Sequence, residues 1–147
     1  ATRCTDSFRA QIEENGEDPQ VFMDEFSAWK ARGPAGEYAF YAFGRDGEYS
    51  RPKVLGVNVL RHVHLAPRVD PHEQAEWKRR WRKGWQKTSD RVLVYAQDQT
   101  HGYLLIYILD EPGAHEIAEM RSPEDEKLMK QMAKVASDFI FDGSIRA

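Results

Sequence analysis

Apolar residues in the first quarter of the chain recur with the period of an α-helix. The pattern predicts a short helix over Thr5–Glu14 and a second helix after Asp18, which is a suitable N-cap, with Pro19 at its first position. One face of the second helix is expected to carry Val21, Phe22, Phe26 and Trp29. A helix-breaking Gly33-Pro34 pair then ends it.

The middle of the chain shows the patterns of β-strands. Residues Val54–Leu65 alternate, so Val57, Val59, Val63 and Leu65 are expected on one face of a strand and Asn58, Leu60, His62 and His64 on the other. Arg91–Gln97 and the apolar run Tyr103–Leu109 predict an antiparallel hairpin, and the lack of alternation in Tyr103–Leu109 indicates a central strand covered on both faces. Within residues 36–52, which predict a hairpin or an ordered loop, Arg45-Asp46-Gly47 is a turn signal.

The last quarter of the chain predicts helices again. A short helical turn that carries His115 is expected after Pro112-Gly113. Ser122 as the cap and Pro123 at the first position begin the final helix. Its apolar stripe is Leu128, Met132, Val135 and Phe139. The predicted fold class is therefore α+β, a small antiparallel sheet with N-terminal helices and a C-terminal helix.

Length and composition fit one globular domain. The chain has 147 residues, 41% of them hydrophobic and 31% charged. Its longest apolar run is far shorter than the roughly 18 residues of a membrane span, and its first residues lack the apolar core of a signal peptide. We therefore expect a cytoplasmic protein without membrane association. The single Cys4 excludes both an internal disulfide framework and a cysteine-built metal cluster.

Charge is distributed unevenly along the chain. Residues 1–30 and 110–147 each carry a net charge of −4, whereas residues 61–91 carry nine basic and four acidic side chains, a net +5. Because a local field attracts a polyanion even when the total charge is negative, a basic middle segment favours a phosphate-binding face. Solvated acidic helices at the two ends are the ordinary alternative.

The most unusual segment is the Trp-rich basic segment, residues 71–87, which reads PHEQAEWKRRWRKGWQK. Trp77, Trp81 and Trp85 recur every four residues and would share one side of a helix. The tryptophans would then either pack on the sheet or offer rings on which RNA bases stack between basic side chains. The residues expected to contact RNA are Arg61, Lys78, Arg79, Arg80, Arg82, Lys83 and Arg91.

Several short blocks in a fixed order give the chain a family resemblance. They are FGRD at Phe43–Asp46, RHVHLAP at Arg61–Pro67, TSDRVLVY at Thr88–Tyr95 and YLLIYILDEPGAHEIA at Tyr103–Ala118. From about Pro19 to Phe139 the sequence resembles the YafO toxins of bacterial type II toxin–antitoxin systems. The resemblance implies a microbial RNase fold of the RelE superfamily, an endoribonuclease that cleaves messenger RNA on the translating bacterial ribosome, and a cognate antitoxin that neutralises it.

We accordingly expect residues 1–147 to form a single toxin domain. Within it, residues 1–18 are an N-terminal extension relative to the family, and residues 71–87 form a longer and more regular Trp-rich helical segment than the family's counterpart. The sequence lacks the phosphate-binding loop, the nucleophile elbow and the dinucleotide fingerprint, so nucleotide hydrolysis, acyl transfer and hydride transfer have no support from it. No cofactor is expected.

Cleavage of RNA without a metal needs a base for the 2′-hydroxyl, donors that stabilise the phosphorane, and an acid for the leaving oxygen. His62 and His64 project from one face of their strand, and the other catalytic candidates are His115, Arg45 and Asp46. Each has an ordinary structural role as its alternative, such as a hydrogen-bonded histidine or a turn-capping aspartate. The sequence leaves open which histidine is the base and which the acid.

Three further alternatives remain at this level. The His62-x-His64 pair with His115 is also compatible with a zinc site. A non-catalytic module that binds RNA or the ribosome and blocks translation would share the basic face without needing the histidines. A toxin that cuts RNA free of the ribosome would differ in cleaving naked substrate.

Overall fold

A five-stranded sheet with helices on both faces forms the body of the protein. The computed structural model describes residues 1–146. The sheet has the strand order β1-β7-β6-β5-β2, and β3 and β4 form a separate two-stranded sheet. The strands are β1 (Thr2–Cys4), β2 (Phe43–Glu48), β3 (Lys53–Val54), β4 (Val57–Asn58), β5 (Arg61–Leu65), β6 (Val92–Asp98) and β7 (Gly102–Leu109). The α-helices are α1 (Asp6–Glu14), α2 (Pro19–Ala31), α3 (Gly36–Ala39), α4 (Pro71–Lys83), α5 (Ala114–Glu119) and α6 (Pro123–Asp142), with a 3₁₀ turn at Gly33–Ala35.

The two faces of the main sheet bury separate apolar cores. On one face, α1 and α2 cover the sheet with large side chains that include Phe8, Phe26 and Trp29. On the other face, α6 packs through residues such as Met132 and Phe139. Both faces of β7 are thereby covered, as its unbroken apolar run predicts. The α+β fold class is confirmed.

Local capping signals set the helix boundaries. Asp18 accepts a hydrogen bond from the backbone of Gln20, and Ser122 accepts one from Asp125, each with proline at the start of the helix. In α6, however, the buried positions are Met129, Met132, Ala133, Ala136 and Phe139, while Leu128 and Val135 of the predicted stripe are only partly buried. The centre of the buried face is therefore rotated slightly from the prediction.

An N-terminal strand, β1, is missing from the sequence prediction. It pairs in parallel with β7, and Thr5 then caps α1 while its hydroxyl donates to the carbonyl oxygen of Ile106 at 2.6 Å. Gln11 of α1 bonds both backbone groups of Ile108. These contacts join residues 1–14 to the edge of the sheet, because a short strand can be held by its partner's backbone without a hydrophobic pattern of its own.

The prediction of one strand over Val54–Leu65 is wrong. The chain forms the β3–β4 hairpin, whose turn residues Leu55 and Gly56 have positive φ angles of 51° and 77°, and only then enters β5. Val59 consequently packs in the same core as Leu60 instead of sharing a face with Val63. The alternation of apolar residues continues across the turn and conceals it.

Arg45-Asp46-Gly47 does not form a turn either. The three residues lie within β2, where Asp46 and Gly47 pair with Val63 and His62 of β5, and a β-bulge separates Phe43 from Asp46. Pairing with β5 therefore outweighs the local preference of Asp-Gly for turns.

The Trp-rich basic segment is helical only as far as Lys83. Gly84 adopts the left-handed conformation, with φ 70°, and ends α4. The prediction that three tryptophans share a helix face is thus wrong for Trp85, which lies beyond the helix and is 50% exposed, while Trp77 is buried. Within the described residues, no helix has the length and apolar character needed to span a membrane.

Candidate active site

A cleft of about 430 Å³ opens on the α6 face of the sheet, where β2, β5, α4 and α5 meet. Three of the predicted catalytic residues, Arg45, His64 and His115, line it together. The remaining lining residues are His72, Glu73, Glu76, Arg80, Thr88, Ser89 and Asp90. The cleft therefore gathers imidazole, guanidinium and carboxylate groups from sequence positions up to 70 residues apart.

Asp90 holds His115 at the rim of this cleft. Its carboxylate accepts hydrogen bonds from the backbone N–H groups of Gly113 (2.6 Å) and His115 (2.9 Å) and lies 2.9 Å from Nδ1 of the His115 ring. Partial burial opposes ionisation, but these hydrogen bonds outweigh it and lower the pKa of Asp90. The charged carboxylate fixes the ring through Nδ1, so Nε2 is directed away from Asp90 on a side chain that is 65% exposed.

His64 lies behind His115, with 5.7 Å between the ring centroids. Its Nδ1 is 2.7 Å from the carbonyl oxygen and 3.0 Å from the backbone nitrogen of Ser89, which fixes the ring between β5 and the segment before β6. Burial lowers the pKa of His64 and outweighs the opposing hydrogen bond that the ring donates from Nδ1 to the Ser89 carbonyl oxygen. The ring is therefore neutral near pH 7, with Nε2 as the nitrogen left for the cleft.

His62 lies next to His64, at 5.8 Å between ring centroids, but does not line the cleft. Its ring stacks on Tyr49 at 3.9 Å, and Nδ1 is buried without a hydrogen-bond partner among residues 1–146. Burial, with a smaller contribution from His64, lowers the pKa of His62 to about 4. The two strand histidines thus share a face as predicted, but only one of them reaches the cleft.

Arg45 is presented by the bulge in β2. Its backbone N–H donates to the carbonyl oxygen of Lys87 at 2.9 Å, and a Cβ at the preceding Gly44 would clash with that oxygen. Among the described residues, the exposed Arg45 guanidinium has no ion-pair partner. An unpaired guanidinium at the mouth of a cleft is suited to bind a phosphate group.

Lys87 supports this arrangement from the inside. The side chain is fully buried, its ammonium donates to the carbonyl oxygens of Phe40 and Tyr41, and it lies over the rings of Trp77 and Trp81. Burial lowers its pKa to about 8. Lys87 therefore joins α4 to β2 and holds the backbone oxygen on which Arg45 depends.

Arg80 forms the α4 side of the cleft. It donates to the Thr88 hydroxyl at 3.0 Å and lies 3.7 Å from the Glu76 carboxylate. Glu76 in turn pairs with Arg79 at 2.7 Å. A second guanidinium thus faces the histidines in a fixed position.

Asp46 is on the wrong side of the sheet for the catalytic role that the sequence suggested. Its carboxylate accepts hydrogen bonds from Tyr95 (2.5 Å), Lys30 (3.2 Å) and Arg61 (3.2 Å), all on the face covered by α1 and α2. Successive strand residues point to opposite faces, so Arg45 and Asp46 cannot both face the cleft. Arg61 belongs to the same network, so its guanidinium bonds Asp46 and Tyr95, and its contact with RNA stays a prediction.

The other basic residues predicted to contact RNA divide into two groups. Arg91 is 7% exposed and bonds Asp110 and the Ala66 carbonyl oxygen, so its position is that of a structural residue. The other four are exposed side chains of α4 that do not line the cleft: Lys78, Arg79, Arg82 and Lys83.

Asp90 is the residue that sequence reasoning missed. The only signal for it is its place in the TSDRVLVY block directly before β6, because its partner His115 is 25 residues away in sequence. Within residues 1–146, no group of three or more His, Cys, Asp or Glu side chains is arranged to hold a metal ion. The zinc alternative therefore lacks a ligand set there.

Comparison with known proteins places this site in a family. Comparisons with curated proteins and with solved structures find no match. The family model described as toxin YafO of type II toxin–antitoxin systems matches residues 27–141, which include every residue that lines the cleft. A toxin of this class is paired with a cognate antitoxin, which is the partner that the match implies. The chain belongs to the YafO family of type II toxins.

Proposed function

We propose that this toxin is a metal-independent endoribonuclease that cleaves messenger RNA on the translating ribosome and is neutralised by its antitoxin. The observation that carries the proposal is the pairing of the Asp90-held His115 with the neutral His64 in a cleft that also contains Arg45 and Arg80. This set supplies a proton acceptor, a proton donor and two guanidinium groups within one concave surface.

In the proposed reaction, Nε2 of His64 removes the proton from a ribose 2′-hydroxyl. The 2′-oxygen attacks the adjacent phosphorus, the bond to the 5′-oxygen breaks, and Nε2 of His115 gives its proton to that leaving oxygen. The products are a 2′,3′-cyclic phosphate and a 5′-hydroxyl. His64 suits the role of base because its lowered pKa keeps it neutral, and Asp90 balances the positive charge of a protonated His115.

The two arginines have an electrostatic role in this scheme. Negative charge accumulates on the non-bridging oxygens as the phosphorane forms, and Arg45 and Arg80 flank the cleft from β2 and α4. One planar guanidinium group can donate to two such oxygens at once. His62 does not line the cleft and acts in the proposal as a packing partner of Tyr49 and His64.

The exposed basic side chains of α4 are proposed to hold the toxin on RNA phosphates, away from the proton transfers. The proposal treats residues 1–147 as one toxin domain and places its action in the cytoplasm, where ribosomes translate. Acidic residues of the antitoxin would compete for the same basic surface.

Asp90→Asn tests the proposal, with Glu73→Gln in the same cleft as its matched control. In a reconstituted translation reaction with 5′-end mapping of the message, we expect Asp90→Asn and His64→Gln each to lower single-turnover cleavage by about 100-fold or more. Glu73→Gln should cleave at the wild-type rate. Thermal unfolding of each variant separates loss of chemistry from loss of fold.

Two results would contradict the proposal. Wild-type cleavage by both Asp90→Asn and His64→Gln would remove the assigned residues from the reaction. Wild-type protein that stalls translation on intact messages would instead be a non-catalytic ribosome-binding module. Cleavage of naked RNA at the same rate as translated message would remove the requirement for the ribosome.

A further inference from the structure

The three tryptophans around α4 differ in how far their side chains are exposed to solvent. Trp77 is 1% exposed and donates from Nε1 to the Tyr41 carbonyl oxygen at 2.9 Å. Trp81 packs edge-on against Tyr41 and carries the Lys87 ammonium 4.8 Å from its ring centroid. Trp77 is therefore buried, and Trp81 is partly buried against Tyr41 and Lys87.

Trp85 is placed differently because Gly84 turns the chain at the end of α4. Its backbone N–H donates to the Arg80 carbonyl oxygen at 2.9 Å, which fixes the residue just beyond the helix. The side chain is 50% exposed. The Arg79 guanidinium lies 5.1 Å and the Lys83 ammonium 5.6 Å from the ring centroid.

This aromatic position is connected to the cleft through the ion pairs of Glu76. Arg79 is bonded to Glu76, and Glu76 lines the cleft beside Arg80. A strand of RNA whose phosphate binds between Arg45 and Arg80 would pass along this side of α4. Arg79 and Lys83 would then meet the phosphates next to a base that lies on the Trp85 ring.

We infer that Trp85, with Arg79 and Lys83, forms a subsite that stacks one unpaired base of a single-stranded RNA near the scissile phosphate. The inference rests on the proposed function and adds to it a preference for unpaired RNA. Every nucleobase has an aromatic face, so the subsite gives affinity for an unstacked strand with little choice of base. A duplex, whose bases are already stacked, cannot use it.

Charge complementarity favours RNA as the occupant. The charged side chains over the Trp85 ring are both cationic: Arg79 and Lys83. The centre of a protein-binding interface is depleted of charged residues and packed with apolar neighbours. A single exposed indole between cations is instead the composition of a single-strand nucleic-acid site.

Binding of a fluorescently labelled RNA of about ten nucleotides tests the subsite by anisotropy. The RNA carries 2′-O-methyl groups, so it cannot be cleaved, and is used single-stranded and as a duplex. We expect Trp85→Leu to weaken single-strand binding at least about fivefold, and Trp85→Phe to weaken it less. Duplex binding should not change. Phe141→Leu, at a residue 85% exposed at the end of α6, is the matched control.

A salt series separates stacking from phosphate contact. Arg79→Gln and Lys83→Gln should flatten the salt dependence of single-strand affinity, while Trp85→Leu should leave its slope unchanged. Equal affinity of Trp85→Leu and wild type, or no single-strand binding by the wild type, would overturn the subsite. Unchanged RNA binding with weakened binding of the cognate antitoxin would also overturn it and assign the surface to that protein.

The outcome is independent of the cleavage test. If His64→Gln loses cleavage but Trp85→Leu binds and cleaves like wild type, the proposed function stands and the subsite is wrong. If the protein binds single strands through Trp85 but does not cleave, the subsite stands and the proposed function is wrong.

Discussion

The neutral, buried state of His62 predicts a measurable loss of stability in acid. In the unfolded chain its pKa is the ordinary value near 6.5, whereas burial in the fold lowers it to about 4. Below pH 6.5 the His62 ring therefore binds a proton more readily in the unfolded chain than in the folded protein. Stability that is fully present above the unfolded pKa is lost as the pH falls towards the folded pKa.

The size of the effect follows from this difference in pKa. A shift from 6.5 to about 4 is worth at most about 3 kcal/mol between about pH 7 and pH 4, since each pKa unit corresponds to roughly 1.4 kcal/mol. Urea unfolding of wild type and His62→Gln across this range isolates it, because other titrating groups are common to both proteins. Over this pH range the free energy of unfolding should fall more for wild type than for His62→Gln, and the difference should be up to about 3 kcal/mol.

NMR titration of the His62 ring provides an independent measurement. Its midpoint should lie well below 6.5, the ordinary value for a histidine. Parallel pH dependences of the two unfolding free energies, together with a His62 midpoint near 6.5, would refute the reasoning. The ring would then be solvated and not enclosed between Tyr49 and His64.

Two further predictions concern residues that neighbour one another in sequence or in the sheet. Arg45→Gln should lower cleavage by about 100-fold or more with little effect on stability, because it removes a donor to the developing phosphorane. Arg61→Gln should instead destabilise the fold and leave cleavage per folded molecule unchanged. Single-turnover rates alongside denaturant midpoints test this, and equal cleavage by the two variants would show that the faces are assigned wrongly. Gly44→Ala should cost about 1–3 kcal/mol of unfolding free energy, since its Cβ would meet the Lys87 carbonyl oxygen and the Trp77 ring. Gly47→Ala is the control, because the nearest atom to its Cβ would be His62 Cε1 at an ordinary 3.6 Å, and similar unfolding free energies for both variants would contradict the close approach at Gly44.

Much of the secondary structure follows from short-range signals in the sequence. The starts of α2 and α6 are set by Asp18-Pro19 and Ser122-Pro123, whose side chains and fixed φ angles act within one helical turn. The β6–β7 hairpin follows from two apolar runs with a short connection. The blocks that resemble the YafO toxins identify the family without any knowledge of the fold, and the family match confirms that identification.

Only the tertiary structure shows on which face of the sheet a residue lies. Arg45 lies at the bulge of β2 and lines the cleft, whereas the next strand residue, Asp46, points to the opposite core, although both lie in the same block. No periodicity reveals the bulge, because it arises where β2 meets the Lys87 backbone and the paired strand β5. The predicted turn is wrong because Asp46 and Gly47 pair with β5, and the Asp46 carboxylate lies in a network on the face opposite the cleft.

The Asp90–His115 pair also required the fold. A helix cap or an apolar helix stripe involves residues only a few positions apart, so the local sequence encodes it. The Asp90 carboxylate, in contrast, meets His115 only after β6 and β7 have paired and α5 has returned across their end. The sequence by itself determined which chemical groups the toxin has and which segments become helices and strands. Which of those groups meet in one cleft was decided by strand register and long-range packing, because side-chain contacts between distant residues depend on the whole sheet.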